Sequence, residues 1–108
     1  MHHSEIKVNI TLDDDRVPEK MDWSANDGGV NHAPTKAAIL SVWDHKTMET
    51  LKIDLWTKDM PVDQMKKFLH QNIMAIADTL EKAADEKDAA NDLRKFAVDM
   101  GKKLKVIS

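Results

Sequence analysis

The chain has 108 residues, a length that fits one domain with a real core. Hydrophobic residues make up 42% and charged residues 32%, which excludes an intrinsically disordered or membrane-embedded composition. Acidic residues outnumber basic ones by 19 to 16, a balance that argues against nucleic acid as a partner, and the absence of cysteine excludes disulfides, zinc ribbons and thiol catalysis.

The first residues run straight into polar–apolar alternation. They lack the roughly 7–15 apolar residues of a signal peptide, and no later stretch approaches the roughly 20 of a membrane span. The expectation is a cytoplasmic protein with no membrane insertion.

Ile6, Val8, Ile10 and Leu12 alternate with Lys7, Asn9 and Thr11, the period of a strand with one apolar face. Asp13-Asp14-Asp15-Arg16-Val17-Pro18 breaks it, because aspartate side chains bond nearby backbone amides and proline cannot donate to a ladder. A second strand around Lys20–Ser24 completes a hairpin. Residues 25–35 read as a loop, with Asn26-Asp27-Gly28-Gly29 supplying a tight reversal. Residues 37–44 read as a strand, although Pro34 is also suited to open a short helix there. Glu49–Thr57 is the clearer strand, with Leu51, Ile53 and Leu55 on one face and Lys52, Asp54 and Trp56 on the other.

The rest is helical. Pro61 suits a helix start and Asp63 the positive end of its dipole. Met65, Leu69, Ile73, Ile76, Leu80 and Ala83 form one stripe, with Lys66, Lys67, His70, Gln71, Asp78 and Lys82 on the polar side. Asp85-Glu86-Lys87-Asp88 ends this helix. Ala89, Leu93, Phe96, Ala97, Met100 and Leu104 make a second stripe. Strands first and helices last give an α+β class: an antiparallel sheet of about four strands in two hairpins, packed on one face by a C-terminal antiparallel helical hairpin, as a single domain over residues 1–108.

The residues carry no sign of catalysis. No serine stands in a glycine-flanked elbow, and His32, His45 and His70 are scattered without metal-ligand spacing. His70, next to Leu69, reads as a core-bordering residue. Asp13-Asp14-Asp15 lacks the glycine and closing glutamate of a calcium loop. The expectation is therefore a non-enzyme with no cofactor and no metal. The tryptophans say more. Trp23, Trp43 and Trp56 sit near the ends of three strands, where they either complete the core or anchor a partner, since aromatics bury large area at low entropic cost. The candidate partner-binding residues are Trp56, Asp54 and Lys52 on the outward sheet face, Trp43, and Asp27 and Gly28 in the loop.

Trp23-Ser24-Ala25 with Asp27-Gly28-Gly29, Leu40-Ser41-Val42-Trp43-Asp44, the run Ile53–Val62 and the helix opening Met65-Lys66-Lys67-Phe68 resemble the gliding-motility-associated protein GldC family, from about Glu5 to Leu104. That resemblance implies an accessory role in surface gliding, with a protein partner in the gliding apparatus and no catalytic residue to carry over. A homodimer through the open sheet face or an unpaired edge is a further expectation. The alternative is a small-molecule binder or minor enzyme with a pocket between sheet and helices, lined by some of the 7 methionines.

Overall fold

The computed structural model describes residues 1–107 and shows an α+β chain of five strands followed by two helices. The strands are β1 (Ile6–Leu12), β2 (Pro18–Ala25), β3 (Val30–Thr35), β4 (Ala37–Asp44) and β5 (Glu49–Trp56); the helices are α1 (Val62–Ala84) and α2 (Lys87–Lys103). Contacts divide the chain into two compact units, Met1–Met60 with all the strands and Pro61–Ser108 with both helices.

The strands form two antiparallel sheets, β1-β2-β3 and β4-β5, in place of the single four-stranded sheet expected. The extra strand is β3, which lies inside the stretch read as a loop. Asn31-His32-Ala33-Pro34 has neither alternation nor β-branched residues, and His32 takes a positive φ of 49°. Pairing with β2 holds this segment extended, through Met21↔Thr35, Asp22↔Pro34 and Trp23↔Ala33. Residues 37–44 are a strand, and the helical option for that stretch is not taken.

The β1–β2 turn forms as aspartate chemistry dictates. The Asp13 Oδ1 accepts from the amides of Asp15 (2.9 Å) and Val17 (3.0 Å), and Arg16 takes the left-handed conformation, φ 63°, that closes the reversal. The β4–β5 turn repeats the device, since Asp44 accepts from the amide and hydroxyl of Thr47, both at 2.8 Å. These bonds hold both carboxyls below their ordinary range, at Asp13 first through the Val17 amide and at Asp44 through that of Thr47.

The amide of Thr57 donates to the Lys36 carbonyl (2.8 Å), continuing the β4–β5 ladder by one pair, and that of Lys58 donates to the Pro18 carbonyl (2.9 Å), joining the end of β5 to the start of β2. The Lys58 ammonium also reaches Asp13 Oδ2 at 3.0 Å. In this unit Met21 is the one buried apolar side chain among the described residues.

In the helical unit, α1 begins after Pro61 and ends at Asp85, whose φ of 55° gives the left-handed cap. The helices meet along Ala77, Ala90, Ala97 and Gly101, all buried. His70, grouped with the polar side of the helix but read as bordering the core, is buried in this seam, and its Nε2–H donates to the Ala97 carbonyl at 2.8 Å. Small residues on α2 leave the room that an imidazole from α1 fills. At the other end Arg94 spans the hairpin to Glu81 (2.8 Å) and Asp78 (2.9 Å). No helix among the described residues is long and apolar enough to cross a membrane.

Candidate functional site: the outward face and free edge of β5

The register of the β4–β5 ribbon sorts its residues onto two faces. Ala38↔Leu55, Leu40↔Ile53 and Val42↔Leu51 share one; Ala37↔Trp56, Ile39↔Asp54, Ser41↔Lys52 and Trp43↔Thr50 share the other. The placement of Lys52, Asp54 and Trp56 on a common face therefore holds, and Trp43 joins them. Trp43 and Trp56 stand at opposite ends of that face, six residue pairs apart, or about 20 Å along the strands. Both are exposed, Trp43 by 64% and Trp56 by 53%. Between them the Lys52 ammonium meets Asp54 Oδ2 at 3.3 Å. This pair is solvated and adds little stability. It places one positive and one negative charge between the two indoles.

The face expected to be core is no better covered: Leu51 and Ile53 are 54% and 55% exposed. Only Leu55, beside Ile10 and Leu12 of β1, and its partner Ala38 are half-buried on it.

Asp27 and Gly28 lie elsewhere, in the β2–β3 turn of the other sheet, where the Gly28 amide donates to the Ala25 carbonyl at 3.2 Å. The positive φ of the turn falls on Gly29, at 70°. Asp27 and Gly28 shape a reversal, and the structure does not bring them to the β4–β5 face. Trp23 faces Val8 and Ala33 across the three-stranded sheet and is partly covered.

Sequence reasoning missed an open cleft of about 660 Å³ at the end of β5. Ile10 and Leu12 of β1, Val17 of the following turn, Pro18 at the start of β2, and Leu55 and Trp56 of β5 line it, together with Arg16 and Asp54. No local pattern marks it, because its lining comes from segments far apart in the chain, which the residues after Trp56 tie together. Thr57 is buried and its hydroxyl donates to Asp59 at 2.6 Å, while Lys58 holds the β1–β2 turn.

A polar cluster occupies the outer face of the other sheet. Asp22 Oδ1 accepts from Asn9 Nδ2 at 2.9 Å and sits 3.1 Å from His32 Nδ1, so its carboxyl is held below the ordinary range, first by Asn9 and then by His32. Among the described residues no three His, Asp or Glu side chains converge to hold a metal ion.

No curated protein and no solved structure matches this chain. A family model does, over residues 18–106, which span β2 to the end of α2 and include both indoles of the β4–β5 face. The chain belongs to the family of gliding motility-associated proteins described as GldC-like.

Proposed function

We propose that this gliding-motility-associated protein is a non-enzymatic cytoplasmic accessory of the gliding apparatus and acts by binding another protein through the outward face of β4 and β5. The observation that carries this reading is the pair of exposed indoles, Trp43 and Trp56, at the two ends of one strand face with Lys52 and Asp54 between them. Tryptophan is over-represented among residues whose truncation weakens a protein interface, because it buries a large rigid area when covered. A polar pair between two such anchors orients a partner without requiring that a charge be buried.

The test is a crosslinked pull-down from the native organism with wild-type, Trp56→Ala and Asp27→Ala baits, compared by mass spectrometry. Motility components enriched by wild type and by Asp27→Ala, and lost with Trp56→Ala, support the reading. Equal capture by all three moves the binding surface off this face. Light scattering over a range of concentrations reads self-association separately.

A further inference from the structure

Among the described residues the pairing pattern leaves the outer edges of β1, β3, β4 and β5 without a neighbour, and the β5 edge is set apart by the apolar cleft at its end. β2 has β1 on one side and β3 on the other, whereas β5 has β4 alone. Chain continuity makes the two sheets comparable. β3 passes through Lys36 directly into β4, and the end of β5 meets the start of β2 where the Lys58 amide bonds the Pro18 carbonyl. β4 therefore stands to β5 as β3 stands to β2. The place that β1 fills beside β2 has no counterpart beside β5, because β1 stops at Leu12 opposite Pro18 and turns back through Asp13–Val17.

The groups facing this empty place can be named. In an antiparallel ladder a residue directs its N–H and C=O to the same side, and successive residues alternate. The amide of Thr57 points to the β4 side, since it bonds Lys36. Leu55, Ile53 and Leu51 follow it, so Trp56, Asp54 and Lys52 direct their backbone groups to the free side. An unpaired row of this kind is a template for another strand. The cleft lined by Leu12, Val17, Leu55 and Trp56 lies at its end.

We propose that β5 takes an extended segment of a partner protein as a third strand, paired in the backbone to Lys52, Asp54 and Trp56, with an apolar side chain seated in the cleft. This rests on the protein-binding reading above and specifies the partner's chemistry, an alternating apolar–polar strand like β1. A free segment suits the place better than a second β5. Two-fold pairing of β5 with its copy through Lys52 and Asp54 sets Thr50 of one chain against Trp56 of the other, and carries the copy's turn at residues 45–48 toward Lys58, whose amide is already bonded to Pro18.

The probe is a phage-displayed library of random peptides of eight residues, the length of β5, selected against the full chain and followed by synthesis of the best binder. Asp54→Pro removes one outward amide and blocks the edge while sparing the β4 ladder, and Asp54→Ala keeps the amide. The expected result is alternating apolar residues in the binders and an affinity loss at least about tenfold greater for Asp54→Pro than for Asp54→Ala, which removes the same carboxylate but keeps the amide. Hydrogen exchange on the wild-type chain is the second readout, and should show the amides of Lys52, Asp54 and Trp56 protected by peptide whether or not the proline variant folds. Failure to select any binder, equal affinity for Asp54→Pro and Asp54→Ala, or no added protection overturns the proposal. So does a dimer that Asp54→Pro converts to monomer, because the occupant is then a second copy. A motility partner captured equally by wild type and Asp54→Pro but lost with Trp56→Ala leaves the module reading standing and removes only the strand.

Discussion

The residues that meet between α1 and α2 are among the smallest in the chain, and they are sealed: Ala77, Ala90 and Ala97 have no exposed surface. In the strand unit the large apolar residues are numerous, yet Met21 alone is buried, while Leu40, Val42, Leu51 and Ile53 are each about half exposed. Two helices can approach closely when alanine and glycine line the seam, and the single buried polar group there, His70, finds a carbonyl. A single layer of sheet has no such recourse. Its backbone bonds are satisfied within the ladder, but its side chains stand off both faces and need another layer to cover them. The hairpin thus gains its order from packing and the strand unit from ladders, turns and the Lys58 clasp.

The largest expected effect tests the one point where the strand unit does pack. Met21→Ala removes its buried side chain and should cost about 2 kcal/mol in urea unfolding, the low end for such a truncation because half-exposed neighbours can collapse into the space. A cost near zero would show that ladders alone hold this unit.

Gly101→Ala asks the converse of the hairpin. In an exposed helix this change gains up to about 1 kcal/mol. Here the added carbon would stand 2.8 Å from both His70 Nε2 and the Ile107 side chain. Crowding outweighs propensity, and a net loss of about 1 kcal/mol is expected in the helical circular-dichroism signal. A gain would mean that the seam gives way more easily than sealed packing implies.

Trp56→Ala should change stability by no more than about 0.5 kcal/mol, since the indole is more than half exposed. A large fall in melting temperature would make Trp56 part of the packing and transfer it from the binding surface to the core.

The smallest effect belongs to the clasp. The Asp13 carboxyl is held below its ordinary value of 3.8, first by the Val17 amide and then by Lys58, so its contribution is present above that pH and is lost as pH falls through the lower folded value. The Lys58 ammonium is raised above 10.5, chiefly by its bond to Asp13, so its contribution is present below that pH and is lost as pH rises through the folded value. Lys58→Met should therefore lie slightly below wild type in thermal unfolding at neutral pH and converge with it at both extremes. A constant offset would assign the loss to something other than the ion pair.

β1 and β5 were legible from alternation, the β1–β2 turn from its aspartates, and α1 from Pro61 and a stripe that recurs every three or four residues. All of these are signals of a few neighbouring residues. β3 was not legible, because its segment has no pattern of its own and is extended only by its partner. A helical wheel puts His70 among lysines, and its neighbour Leu69 says only that it borders the core. Its burial depends on Ala97 and Gly101, some thirty residues on. The outward grouping of Lys52, Asp54 and Trp56 was readable from period two alone, whereas the membership of Trp43 required the β4–β5 register.

The sequence by itself determined the class, the strand and helix segments with local periodicity, the family and the residues of the outward β5 face. Spacing along the chain dictates which side chains share a side. Only the tertiary structure decided that the strands divide three and two, that β5 keeps a free edge, and that a cleft opens where Leu12, Val17 and Trp56 meet. Those features arise from pairings between segments far apart in the chain, where backbone hydrogen bonding selects the partner and the local pattern carries no record of the choice.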